Sequence, residues 1–76
     1  MMLTGRQIRE ARALLGLSPS GLAAKARAVT TETVKRAEAD AVPPIAARHA
    51  KAIQQILETL GVEFTPDGPQ LRAEKP

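Results

Sequence analysis

Most of the usable chemistry in this chain lies in one run, TETVKRAEA, from Thr31 to Ala39. Thr30 can cap a helix whose inward residues are Val34 and Ala37, which leaves Thr31, Glu32, Thr33, Lys35 and Arg36 facing out. An outward arginine offers a planar donor fork, a glutamate accepts hydrogen bonds, and a threonine brings both a hydroxyl and a methyl group. Together they suit a partner with polar edges and negative charge. The spacing also has a plain reading: Glu32 and Arg36, four residues apart, would stabilise any exposed helix by a few tenths of a kcal/mol. Catalysis has no comparable foothold. His49 is the only histidine, and with no cysteine and no carboxylate on its face, neither metal ligation nor general-base work is expected. There is no glycine-rich phosphate loop, nucleophile–base pair or carboxylate dyad, so we expect no enzymatic activity, no metal and no cofactor.

The outward helix needs a partner to hold it. Upstream, Ser18 is a good N-cap and Pro19 falls at the first helical position, where its missing N–H does no harm. Leu22, Ala23 and Ala26 then form an apolar stripe of small side chains. Such a helix lets a second one cross it closely, and Arg27-Ala28-Val29 breaks the pattern between them. Two short helices over Leu17–Glu38, the second presenting polar and mostly basic side chains, have the geometry for pushing a helix into a DNA groove.

Charge agrees with that reading. Of 76 residues, the first 51 carry nine basic side chains against four acids, and the last 25 carry two against four. The basic part contains the two-helix unit, a footprint suited to a polyanion, though an excess of this size is also common on ordinary surfaces. Seventy-six residues make one domain able to bury only about 60% of its unfolded surface. Cysteine is absent and there is no 18-residue apolar run, so neither disulfides nor a membrane span is expected. No signal-peptide pattern opens the chain, which leaves the cytoplasm as the expected location.

The residues IREARALLGLS (Ile8–Ser18), the Leu22-Ala23 pair and TETVKRAEA (Thr31–Ala39) resemble the Cro and phage-repressor type of helix-turn-helix regulator, also called Xre-type. AVPP (Ala41–Pro44) and GVEFTPDG (Gly61–Gly68) extend the resemblance toward a small stand-alone bacterial branch. The chain departs from the family in two places. Arg27-Ala28-Val29 makes the turn one residue longer than the usual Gly-Val connection, and Pro19 and Gly21 stand where polar helix formers are usual. The resemblance implies that Thr31, Glu32 and Arg36 contact bases. Arginine would take guanine, glutamate the cytosine amino group, and threonine a thymine methyl. It likewise marks Ser18, Ser20, Thr30, Thr33, Lys35 and Arg48 as phosphate contacts, with solvation or capping as the alternative for each. It pairs Arg12 with Glu38 across the core, where the alternative is two independent surface charges.

The rest of the chain supplies the frame. Thr4 and Gln7 have capping-box form, with Leu3 and Ile8 as the staple, so helix 1 is expected over Gly5–Leu15, burying Ile8, Ala11 and Leu15, with Gly16 just beyond its end. Leu17 with Leu22, and Val29 with Val34, repeat the staple around Ser18 and Thr30. Asp40–Pro44 is a loop, because two prolines forbid helix until Pro44 takes a first helical position. Helix 4 is expected over Ile45–Leu60, with an apolar stripe too wide for one small core. After Gly61 the period changes: Val62 and Phe64 alternate with Glu63, Pro66-Asp67-Gly68 turns, and Gln70–Arg72 returns as a second strand.

These readings converge on a mainly α, four-helix, Cro-like domain over residues 1–61, followed by a β-ribbon and tail over 62–76. The ribbon and helix 4 are expected to form a homodimer through Ile53, Ile56, Leu60, Val62, Phe64 and Leu71, since a strand with an open edge pairs readily with its copy. Residues 73–76 are expected to fray. The function this implies is sequence-specific binding of double-stranded DNA as a dimeric repressor, with no room for a separate effector domain. Two alternatives remain: an antitoxin that binds DNA and a toxin, and a protein-interaction module that has lost DNA binding.

Overall fold

The computed structural model describes residues 3–72; the expected fraying at 73–76 lies outside them. Four helices precede an antiparallel hairpin: α1 (Gly5–Leu14), α2 (Pro19–Ala26), α3 (Thr31–Glu38), α4 (Ala47–Thr59), β1 (Val62–Thr65) and β2 (Gly68–Leu71). Three helix starts follow from side-chain caps. The Thr4 hydroxyl accepts from the Gln7 amide while the Gln7 side chain accepts from Thr4 N–H, and the Ser18 and Thr30 hydroxyls accept from the Gly21 and Thr33 amides. Each satisfies an amide that a helix start would otherwise leave unpaired.

Helix ends show why the chain turns where it does. Past α1, the Leu17 N–H reaches Arg12 O and the Gly16 N–H reaches Ala13 O, closing a Schellman motif around Gly16 at φ 68°. Leu15, expected inside the helix, is its C-cap. The end of α3 repeats the motif, with Ala41 N–H to Arg36 O and Asp40 N–H to Ala37 O. Here Asp40 takes the left-handed position at φ 50°. Asp is one of the few side chains that tolerate it.

Helix α4 begins two residues later than expected. Ala46 is its N-cap with extended backbone (φ −59°, ψ 143°), so Pro44 and Ile45 stay in the loop. Ile45 nevertheless packs against the core from there. The stripe that looked too wide for one helix was therefore partly a loop residue. Helix α4 ends at Thr59, with Leu60 as C-cap.

The core takes residues from every element except β2: Ile8 and Ala11, Leu22 and Ala23, Val29 from the turn, Val34, Ile53 and Leu57, and Val62. Val62 is 1% exposed, which joins the hairpin to the helical unit. In the hairpin Val62 faces Leu71 and Thr65 faces Gly68, so Pro66 and Asp67 alone form the loop. Strand β2 thus starts two residues before the expected Gln70. Thr65 locks the loop, its hydroxyl donating to Gly68 O at 2.7 Å and accepting from Asp67 N–H at 3.2 Å. No helix among the described residues is long and apolar enough to cross a membrane.

Candidate nucleic-acid interface

Helices α2 and α3, eight residues each, pack on one another, with Leu22 and Ala23 of α2, Val34 of α3 and Val29 of the turn all in the core. The connection between them runs over 27–30. Arg27 adopts φ 63°, ψ −35°, and the Ala28 N–H closes back on Ala26 O at 2.6 Å. That three-residue turn leaves Val29 buried and Thr30 free to cap α3. At about 100° per residue, Val34, Ala37 and Glu38 face inward and Glu32 turns to the opposite side, while the Arg36 side chain bends back toward the α3–α4 loop and lines a cleft with Ala37 and Ile45. Glu32 and Lys35 are exposed; Thr31, Thr33 and Arg36 are half-buried.

Arg36 is not free. Its Nη2 donates to Pro43 O at 2.9 Å, and its own carbonyl accepts the Ala41 N–H, so it clips the α3–α4 loop at two points. Reaching a base would require it to release Pro43. Thr31, Glu32 and Lys35 make no such side-chain bond among the described residues. Glu32 stands in the first turn of α3 and Lys35 in the last, where each sign suits the helix dipole.

The hydroxyls keep donor capacity. Ser18 uses its oxygen to accept from Gly21 N–H at 2.9 Å, leaving its proton for an outside acceptor. Thr30 and Thr33 share a hydrogen bond at 3.1 Å, so one of the two protons remains available. Ser20 and Arg48 are exposed, and Arg48 lies in the first turn of α4, whose N-terminus has no side-chain cap.

Behind α3 sits a polar knot. Arg12 donates from Nε to Glu38 Oε2 at 2.8 Å, from Nη2 to Oε1 at 3.0 Å, and from Nη1 to Leu17 O at 2.9 Å. Its pKa is raised above the ordinary arginine value, first by the hydrogen bond to Glu38 and then by that carboxylate's charge, with burial acting the other way. The pair offsets the poor placement of an acid at a helix C-terminus. Three residues of this knot carry no signal in the sequence reading. Arg9 donates to the Glu38 carbonyl, Asp40 Oδ1 accepts from Gly5 N–H at 2.9 Å, and Gly5 lets the start of α1 touch the end of α3. The three-residue spacing of Arg9 from Arg12 was visible, but their common target lies 26 residues or more downstream.

The residues expected at a subunit interface divide. Ile53 (0% exposed) and Val62 (1%) are enclosed in the chain's own core, which removes them from that surface. Ile56, Leu60 and Phe64 are half-buried, and Leu71 is 51% exposed. His49 is half-buried, and among the described residues no three His, Cys, Asp or Glu side chains cluster as metal ligands would. Comparison with protein-family models, curated proteins and solved structures finds no match to this chain.

Proposed function

We propose that this chain is a sequence-specific DNA-binding regulator of the Cro-like helix-turn-helix kind, acting as a dimeric repressor with α3 in the major groove. One observation carries the reading: α3 is fixed from behind by Val34 and by the Arg12–Glu38 pair, while its outer face offers Thr31, Glu32 and Lys35. A rigid helix with a polar, partly basic outer face fits a groove. Around it, the hydroxyl of Ser18 and one of the paired Thr30 and Thr33 hydroxyls, with Ser20 and Arg48, are available to phosphates. Thr31 and Glu32 enter first, and Arg36 reads a base only after leaving Pro43.

Selecting bound sites from a pool of random DNA tests the reading. The expected product is two inverted half-sites about 10 bp apart, bound with a steep loss of affinity as salt rises. Equal affinity for selected and random DNA at ~150 mM salt would reject a specific regulator.

A further inference from the structure

A cleft of about 70 Å³ lies where α1, α3, the α3–α4 loop and α4 meet. Its walls include Ile8, Ala37, Ile45 and Ala50, and its charged members are Arg36 and Asp40. Their roles differ. Asp40 is already engaged, its Oδ1 accepting from Gly5 N–H. Arg36 meets only a neutral carbonyl, that of Pro43, and no carboxylate stands within 4 Å of it among the described residues.

We propose that this cleft binds a small aliphatic monocarboxylate, with the carboxylate on Arg36 and the tail against Ile8, Ala37, Ile45 and Ala50. A guanidinium gains when a neutral acceptor is exchanged for a planar carboxylate that takes two of its N–H groups at once. The cleft has about half the volume of a cavity that holds benzene, which suits a tail of two or three carbons. The Asp40 charge on the same lining opposes any carboxylate, and Arg36 compensates only the one it pairs with, so monoacids are preferred to diacids. A carboxylate that takes Nη2 draws Arg36 off Pro43, leaving the loop held by the Ala41 N–H bond to the Arg36 carbonyl. It also engages a side chain that DNA reading would need, a consequence that rests on the regulator proposal. Ligand binding itself does not.

Amide NMR titration of the full chain without DNA tests the site, using sodium butyrate, 1-butanol and sodium succinate at matched ionic strength. Butyrate is expected to give saturable shifts at Ala37, Ala41, Ile45 and Ala50 with a Kd on the order of 1–10 mM, as a ligand this small allows. Butanol and succinate should bind about tenfold more weakly or worse, a difference of one ion-pair-sized interaction. Arg36→Met should abolish the butyrate response, and Ala50→Val, which narrows the cleft without touching the arginine, should weaken it. Equal responses to butyrate and butanol, absence of saturation, or an unchanged Arg36→Met response would overturn the site. Since the probes are compared on the unmodified chain, the result stands whether or not the variants fold, and whether or not the protein binds DNA.

Discussion

A methyl group placed on Gly5 would have its carbon 2.1 Å from the carbonyl oxygen of Glu38. The first turn of α1 thus lies directly on the last turn of α3, backbone against backbone. At most first-turn positions, glycine to alanine is neutral or stabilising, because it restricts the unfolded chain. Here the sign reverses. Gly5→Ala must push α1 off α3, and an overpacking cost of about 2–3 kcal/mol is expected. At roughly 4–8 °C per kcal/mol for a domain of this size, thermal melting followed by circular dichroism should fall by at least ~8 °C. An unchanged melt would mean the two helices do not meet this closely.

The Arg12–Glu38 pair is expected to matter for folding rather than for any ligand. The Arg12 side chain retains 20% of its exposure and Glu38 9%, so the full cost of breaking a buried pair, roughly 3–5 kcal/mol, is discounted to about 2 kcal/mol. Arg12→Ala should lower the melting temperature with no DNA present. Because the Arg12 pKa is raised, its contribution is complete below the unfolded value and is lost only as pH rises through the folded one, in strongly alkaline solution. The difference between wild type and Arg12→Gln should therefore not depend on any Arg12 titration between pH 6 and 9. A difference that shrinks as pH rises across that range would show that another group, not this guanidinium, sets it.

What the sequence made legible was local. Thr4, Ser18 and Thr30 announce helix starts because a cap and its amide are three residues apart, and Leu3, Leu17 and Val29 reinforce them from the preceding position. The hairpin was readable from alternation around Pro66 and Asp67 for the same reason. Contacts between distant segments were not readable. Nothing near Gly5 reveals that Glu38 will lie on it, and nothing near Arg36 shows that Pro43 will take its guanidinium. Ile45 misled because an apolar residue after two prolines looks alike whether it starts a helix or packs from a loop. At the candidate interface, residue types and cap geometry could be read, while Arg36's engagement depended on the loop's path.

Arg27 holds φ 63° without being glycine, at the centre of a tight three-residue turn. A non-glycine residue there costs roughly 1–2 kcal/mol, and glycine's extra freedom in the unfolded chain returns up to about 1 kcal/mol of that. Arg27 is exposed, so little packing is lost on replacing it. Arg27→Gly is expected to raise the melting temperature by a few degrees. A drop would show that the arginine side chain contributes packing or charge that outweighs the strain.

Lys35 and Arg36 are neighbours with different engagements. Under the regulator proposal, Lys35 is free to contact DNA, whereas Arg36 first gives up the Pro43 carbonyl. Arg36→Ala should relax preference at one base position, by about 1–3 kcal/mol if a bidentate contact is lost. Lys35→Ala should weaken all sequences alike and shallow the salt dependence by about one charge. Binding of the variants to every single-base change in the selected site separates these. A uniform loss for Arg36→Ala would make its loop contact, and not base reading, the reason it matters.

One small module buries too little DNA for a tight specific complex, so the proposed repressor needs two linked copies. The hairpin suits this through its face rather than its edges. The Arg72 N–H bonds Gly61 O, which sets Glu63 and Gln70 as a bonded pair and turns the Pro69 nitrogen outward on β2. Proline has no N–H to offer a new strand, so that edge is blunted. On β1, Val62 is 1% exposed and closed to a partner. What remains is apolar side-chain surface: Leu71, half exposed opposite Val62, with partial faces of Ile56, Leu60 and Phe64. Leu71→Glu leaves the backbone ladder intact, so circular dichroism should be unchanged. Sedimentation at micromolar concentration should then give half the wild-type mass, and operator affinity should fall by a factor on the order of 10²–10⁴ as avidity is lost. A Leu71→Glu protein that still sediments as a dimer would move the interface off this face and onto the helices.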